Sequence, residues 1–308
     1  MKKLLAIFSI ALMAATAACT GQKSGNSSDQ TADNADSTAV YTYKDSNQHV
    51  IVTLSLELPV GTDEASKLIR DSLIANFALT CTNPGYGGDD NFGIKPYSGD
   101  MSDPQAIVNY YGKADYDFFL ENAMADYNDR MKYVEEDSTM SLEEKETVTK
   151  YTPRWAFDFN VKQTTDAPKF VVYQSQAYIY LGGAHGGVTG SGDLTFDKAT
   201  GAKISRFLKA DATDALQPLF RQGLATYFQA VDSTITASNV ADCLFLNESK
   251  IIPQPAYTPC PNAAGDSLIF TYQQYEIASY AAGMPSFALP VKALEPYLTP
   301  EAKALLTK

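Results

Sequence analysis

From Val50 to Leu58 the chain sets Val50, Val52, Leu54, Leu56 and Leu58 against Ile51, Thr53, Ser55 and Glu57. That period of two predicts a strand with one buried face, ended by Pro59 and Gly61. The period then changes. Leu68, Ile69, Leu73, Ile74 and Phe77 fall on one stripe at helical spacing, predicting a helix over Ser66–Phe77. Cys81 to Asp103 is rich in glycine and reads as a loop. Asp103-Pro104 supplies an N-cap followed by proline at the first helical position, and one long helix is expected from there to about Val134, with Gly112 as a candidate break. Ser141-Leu142-Glu143-Glu144 has capping-box form and predicts a short solvated helix.

Strand character returns at Trp155, where Trp155, Phe157, Phe159 and Val161 alternate with Ala156, Asp158, Asn160 and Lys162. It continues through the aromatic and β-branched run Phe170–Leu181 and again at Gly192–Phe196, with Asp197–Gly201 as a turn. Asp211–Ala230 is helical, kinked or restarted at Pro218. Ser267–Tyr272 and Phe287–Val291 are strands, and Thr299-Pro300-Glu301 opens a short closing helix. Strands and helices do not alternate regularly, so the expected class is α+β, with antiparallel sheets packed against helices in two intimately associated subdomains, residues 40–185 and 186–308.

The first residues read differently. Met1-Lys2-Lys3 is a positive n-region, Leu4–Ala15 is apolar or small, and Thr16-Ala17-Ala18 leads to Cys19. The run falls short of the roughly 20 residues a bilayer span needs, so residues 1–18 are expected to be a cleaved lipoprotein signal peptide. Cys19 is then the lipidated, palmitate-bearing N-terminus that anchors the chain to a membrane. An ordinary secretory signal with a coincidental cysteine is the alternative. Residues 19–39, rich in Ser, Asp, Asn and Gly and without a bulky apolar residue before Val40, predict a flexible tether. The address implied is the cell envelope, on the extracytoplasmic side, either periplasmic or at the surface of the outer membrane.

Loss of Lys2 and Lys3 with the leader takes the formal charge from −12 to −14. A surface of that sign repels phosphate backbones, which argues against nucleic-acid binding, and it favours a cationic partner where charge steers association. Cys81, Cys243 and Cys260 remain in a compartment that permits disulfides. Closing Cys243 to Cys260 restricts a short loop and stabilises by about 3 kcal/mol in the chain-entropy model, so that pair is expected. Cys81 is left as a buried thiol or an intermolecular partner. Without a CxxC pair and with two histidines in the chain, a metal site is not expected, nor is a cofactor.

The densest glycine cluster beside an ionisable residue is Leu181-Gly182-Gly183-Ala184-His185-Gly186-Gly187. Its glycines permit positive φ and close approach, while the imidazole can titrate or donate a hydrogen bond. A structural turn and a binding element both fit. Strand-like residues follow instead of a helix, which disfavours a nucleotide site. No GxSxG elbow accompanies His185, and no spacing among the acidic residues marks a carboxylate pair, so no catalytic residue is assigned.

The run YIYLGGAHGGVTGSGDLTFDKATGAKIS and the later LIFTYQQYEIASYAAGMPSFALPVKALEPYL resemble the domain of unknown function 3298 family, the RsiV-like C-terminal domain, with the family's preceding domain more loosely matched by the first half. The resemblance marks Gly182, Gly183, Ala184, His185, Tyr275 and Gly283 as family-pattern positions. It implies the binding part of proteins in which an outer domain of this kind recognises lysozyme, without signalling or catalytic parts. The expected activity is therefore recognition of a cationic envelope hydrolase such as lysozyme, or of a cell-wall ligand. The alternatives are a peptidoglycan- or glycan-acting enzyme and a structural envelope protein.

Overall fold

The computed structural model describes residues 38–83, 93–150, 153–183, 187–260 and 267–306. The leader, Cys19 and most of the tether lie outside the described residues, as do Ala184, His185 and Gly186. Strand β1 begins at Thr38, two residues inside the segment expected to be tether.

β1 (Thr38–Ser46) and β2 (Val50–Pro59) form an antiparallel hairpin, in register from Thr38 with Pro59 to Ser46 with Ile51. Its turn is built by Asn47, whose side-chain oxygen accepts from the backbone N–H of His49 and of Val50, at 2.8 and 2.9 Å. The inner row of β2, Val50 to Leu58, is fully buried. Helix α1 (Glu64–Thr82) follows, capped by Asp63, whose carboxylate accepts from Ser66 N–H at 3.0 Å. It runs one turn beyond the expected Phe77, because Cys81 continues the stripe of Ile69, Leu73, Ile74 and Phe77 into the core.

Helix α2 (Pro104–Glu136) starts where the Asp103-Pro104 pair predicts, with Asp103 accepting from Ala106 N–H at 3.0 Å. It is one unbroken helix. Gly112 lies on its buried side against Tyr43, and a Cβ there would run into that ring, so the glycine serves packing and not a break. Helix α3 (Leu142–Lys150) opens on the capping box: Ser141 N–H donates to Glu144 Oε2 at 2.8 Å, and Glu144 N–H donates back to Ser141 Oγ at 3.3 Å. β3 (Trp155–Asp166), β4 (Phe170–Tyr180) and β5 (Val188–Asp197) complete a sheet of order β1-β2-β3-β4-β5.

One pairing in that sheet departs from expectation. β2 and β3 are parallel, with Val50 opposite Trp155 and Leu56 opposite Val161. The strand pattern predicts antiparallel sheets, but alternation records which face is buried and not the direction of a neighbour. Parallel partners need a long crossover, and the three helices between β2 and β3 supply it.

A short 3₁₀ turn at Ala210–Ala212 leads into α4 (Thr213–Phe228), which carries Pro218 inside its first turns. β6 (Ala256–Cys260), β7 (Ser267–Thr271) and β8 (Ser286–Pro290) form an antiparallel three-stranded sheet, followed by α5 (Val291–Leu294) and α6 (Pro300–Leu306). The observed class is mixed α+β, as expected.

The chain divides into two compact units that are discontinuous in sequence, Ser37–Lys162 with Gln174–Gly192, and Gln163–Tyr173 with the residues from Asp193 onward. The core of the first is a ladder of rings: Phe77 on Phe159 at 5.3 Å, and Phe119 on Phe157 at 5.4 Å. The core of the second gathers Phe207, Leu216, Phe220, Leu224, Phe270, Tyr272, Ile277 and Phe287. There Phe220 meets Phe270 at 5.4 Å and Phe270 stacks on Phe287 at 5.5 Å.

Candidate functional site

The turn after β7 carries the family-pattern tyrosine. Tyr272 is fully buried; its N–H donates to Pro285 O and its hydroxyl to Pro253 O, at 2.9 and 2.8 Å. Burial, reinforced by Glu276, pushes that phenol far above its usual range, so it acts as a fixed donor. Three residues later the chain reverses. Glu276 N–H donates to Gln273 O at 3.1 Å, and Gln273 N–H donates to Glu276 Oε2 at 2.7 Å. The third residue of this four-residue turn is Tyr275, with φ of +65°.

Turns with positive φ at the third position call for glycine or asparagine, because a Cβ there crowds the backbone. A tyrosine in that conformation stores on the order of 1–3 kcal/mol of strain. The ring is not held there by burial, since Tyr275 is 51% exposed. It leans on Tyr280, ring centres 5.7 Å apart and planes 39° from parallel. Beneath the turn, Ile277 and Ala278 are buried and anchor it to the core. Ile277 O accepts from Phe245 N–H at 2.7 Å, so a second exposed aromatic, Phe245 at 62%, stems from backbone bonded two residues from Tyr275.

The rest of the motif supports this platform. Tyr280–Ala282 is a 3₁₀ turn closed by Gly283 at φ of +70°, and the Tyr227 hydroxyl donates to Ala282 O at 2.8 Å. The Tyr227 oxygen would stand 3.3 Å from a Cβ on Gly283. Gly283 is therefore favoured by its dihedral, and the Tyr227 hydroxyl leaves little room beside it.

The glycine turn belongs to the other unit, where the structure describes Gly182, Gly183 and Gly187 but not His185. Gly182 has φ of +71°, and a Cβ on it would stand 2.8 Å from Trp155 Nε1. Its carbonyl accepts from Arg130 Nη2 at 3.1 Å, and Gly183 O accepts from the Tyr180 hydroxyl at 3.3 Å. These contacts fix a turn against Trp155 and Arg130, and Arg130 is itself paired to Asp126 at 2.9 Å.

The cysteines fall out differently from the expectation. Cys243 ends a 3₁₀ turn, is exposed and carries a free thiol, so the Cys243–Cys260 disulfide is not formed in this structure. Short separation in sequence sets the entropy of closure, but the preceding Val240 and Ala241 are drawn into the core and leave Cys243 facing solvent. Cys81 is a buried free thiol, one of the two alternatives foreseen for it. Among the described residues no group of three or more His, Cys, Asp or Glu is placed to hold a metal, and no helix is long and apolar enough to cross a membrane.

Two features escaped the sequence. The strain at Tyr275 leaves no signal, because a tyrosine in a turn implies nothing about φ. Asp115 on α2 did leave one: it interrupts the stripe Val108, Tyr111, Gly112, Phe119 at helical spacing, and it is fully buried.

Residues 207–292, which include the Tyr275 turn, match the family described as protein of unknown function DUF3298. The chain carries a DUF3298 domain. Among solved structures it is similar to a DUF3298 family member from Bacteroides fragilis NCTC 9343, 18% identical over 88% of this chain and 97% of that one, with a TM-score of 0.56. A DUF3298 family protein from Pseudomonas aeruginosa PAO1 is 13% identical over 86% and 95%, with a TM-score of 0.49. The first likeness shows a shared fold. No curated protein matches the chain.

Proposed function

We propose that this protein is a lipid-anchored, extracytoplasmic binding protein that recognises a cationic envelope protein of the lysozyme class through the Tyr275 turn of its DUF3298 domain. The observation that carries this reading is a half-exposed tyrosine held at positive φ, where glycine would cost nothing. Strain retained at an exposed aromatic is supported by use of the ring, since burial does not explain it. Tyrosine supplies a large contact area and a face that attracts Lys or Arg side chains. Tyr280 extends the apolar surface beside it, and the acidic chain steers a basic partner toward it. The resemblance to RsiV-like outer domains, drawn from the same segment, points the same way. Cys19 supplies the anchor and the tether keeps the folded part within reach of the membrane. The protein acts in this reading by contact, without a cofactor or a reaction of its own.

The test is binding of the purified chain to lysozyme at low salt, wild type against Tyr275→Asn, which accepts the backbone but lacks the ring. The expected result is a complex weakened at least tenfold by the substitution and by added salt. Failure of wild type to bind lysozyme, or equal binding by the variant, overturns the assignment; wild-type capture of peptidoglycan fragments instead would replace it with a cell-wall ligand. For the anchor, a palmitate analogue is expected to label wild type and not Cys19→Ser.

A further inference from the structure

Asp115 sits in the middle of the buried stripe of α2, fully enclosed, and among the described residues neither of its carboxyl oxygens has a hydrogen-bond partner. The thiol of Cys81, on the last turn of α1, is the group that lies within interaction range of it. Cys81 from α1 acts on this carboxyl, and the carboxyl in turn acts on Tyr111 of its own helix, whose hydroxyl accepts from Tyr97 N–H at 3.1 Å. β2 offers α2 the apolar row Val52 to Leu58. β1 offers Tyr43, whose charged neighbours are Asp45 and Asp117. α3 directs Lys145 to Glu135 O near the far end of the helix. None of these brings a cation to Asp115.

An ionised carboxylate with two orphaned oxygens is among the costliest groups a core can hold. The neutral acid is tolerated, because its one proton can be offered to the thiol sulfur and its remaining oxygen bears little charge. Burial accordingly pushes the Asp115 carboxyl well up, and pushes the Cys81 thiol up with it. Val108, Tyr111 and Phe119 give the buried stripe apolar side chains on either side of it, so packing alone does not call for an acid.

We propose that Asp115 and Cys81 form a proton-operated latch on the contact between α1 and α2. With the proton in place the last turn of α1 stays packed. Loss of the proton to solvent leaves a buried charge that is relieved by opening this contact, which admits water to the carboxylate and exposes the Cys81 thiol. The sign follows from linkage: a carboxyl that holds its proton more tightly when folded favours the closed form at low pH, and the advantage is lost as pH rises toward its folded value.

Hydrogen exchange of the full chain between pH 5 and 9 tests this directly. After correction for intrinsic chemistry, opening at residues 78–82 is expected to rise by up to about tenfold per pH unit in wild type, as one released proton requires. Asp115→Asn, which keeps the shape and cannot ionise, is expected to show a flat profile, while Asp193→Asn leaves the wild-type slope in place. Parallel profiles for wild type and Asp115→Asn overturn the latch. Infrared spectra of wild type provide a second readout should that variant fold poorly. A protonated carboxyl band at neutral pH that Cys81→Ala shifts supports the pair, and its absence sinks it.

Discussion

Tyr275 and Tyr280 hold their rings 5.7 Å apart across a turn in which Tyr275 alone takes positive φ. The pair separates two contributions that usually travel together. Ring contact favours tyrosine at this site, and backbone conformation opposes it.

Tyr275→Asn is therefore expected to change stability by less than about 1 kcal/mol, because relief of strain offsets the lost ring contact. Chemical denaturation of the two proteins under identical conditions measures this. A loss of 3 kcal/mol or more would mean that the ring is a structural element, and the binding reading would lose its support.

Gly112 should tolerate no side chain. The Tyr43 ring occupies the space a Cβ needs, and the backbone of a long helix cannot retreat from it. Gly112→Ala raises helix propensity by about 1 kcal/mol, yet overpacking costs about 1–3 kcal/mol, so a net destabilisation is expected. An increase in melting temperature would contradict the packing described here.

Asp193 has its carboxyl raised to about 6 by burial. Raised folded affinity for the proton means that its stabilising effect is complete below about pH 4 and is lost as pH climbs through about 6. A shift of that size corresponds to roughly 3 kcal/mol of linkage. Asp193→Asn is expected to flatten the fall in stability between pH 4 and 7, read from melting curves at several pH values. An unchanged slope would assign the dependence to other groups.

Cys243 and Cys81 should differ sharply toward a thiol reagent. The exposed Cys243 thiol is expected to react within minutes in the folded protein, whereas Cys81, buried and with its thiolate disfavoured, reacts in step with unfolding or opening. Peptide mapping after labelling reports both. Recovery of a peptide joining Cys243 to Cys260 would reverse the description of these residues.

How much of this was legible beforehand varies from element to element. β2 and the Trp155 strand were readable to within a few residues, because alternate residues are buried from Val50 to Leu58 and from Phe157 to Val161. The Asp103-Pro104 start of α2 and the Ser141–Glu144 capping box were readable because cap chemistry is local. β1 and β6 left weaker traces: β1 is an edge strand with most of its side chains exposed, and β6 contains Pro259. The parallel pairing of β2 with β3 left none.

The sequence by itself determined the buried faces of β2 and α1, where the capped helices begin and the mixed α+β class, since these depend on period and on neighbours within a few positions, while Tyr275 and Gly283 were marked by the family resemblance alone. Only the tertiary structure decided the direction of β3, the free thiol at Cys243, the exposed strain of Tyr275 and the unpartnered carboxyl of Asp115. Each of those depends on which distant residue arrives alongside, and local spacing carries no record of that meeting.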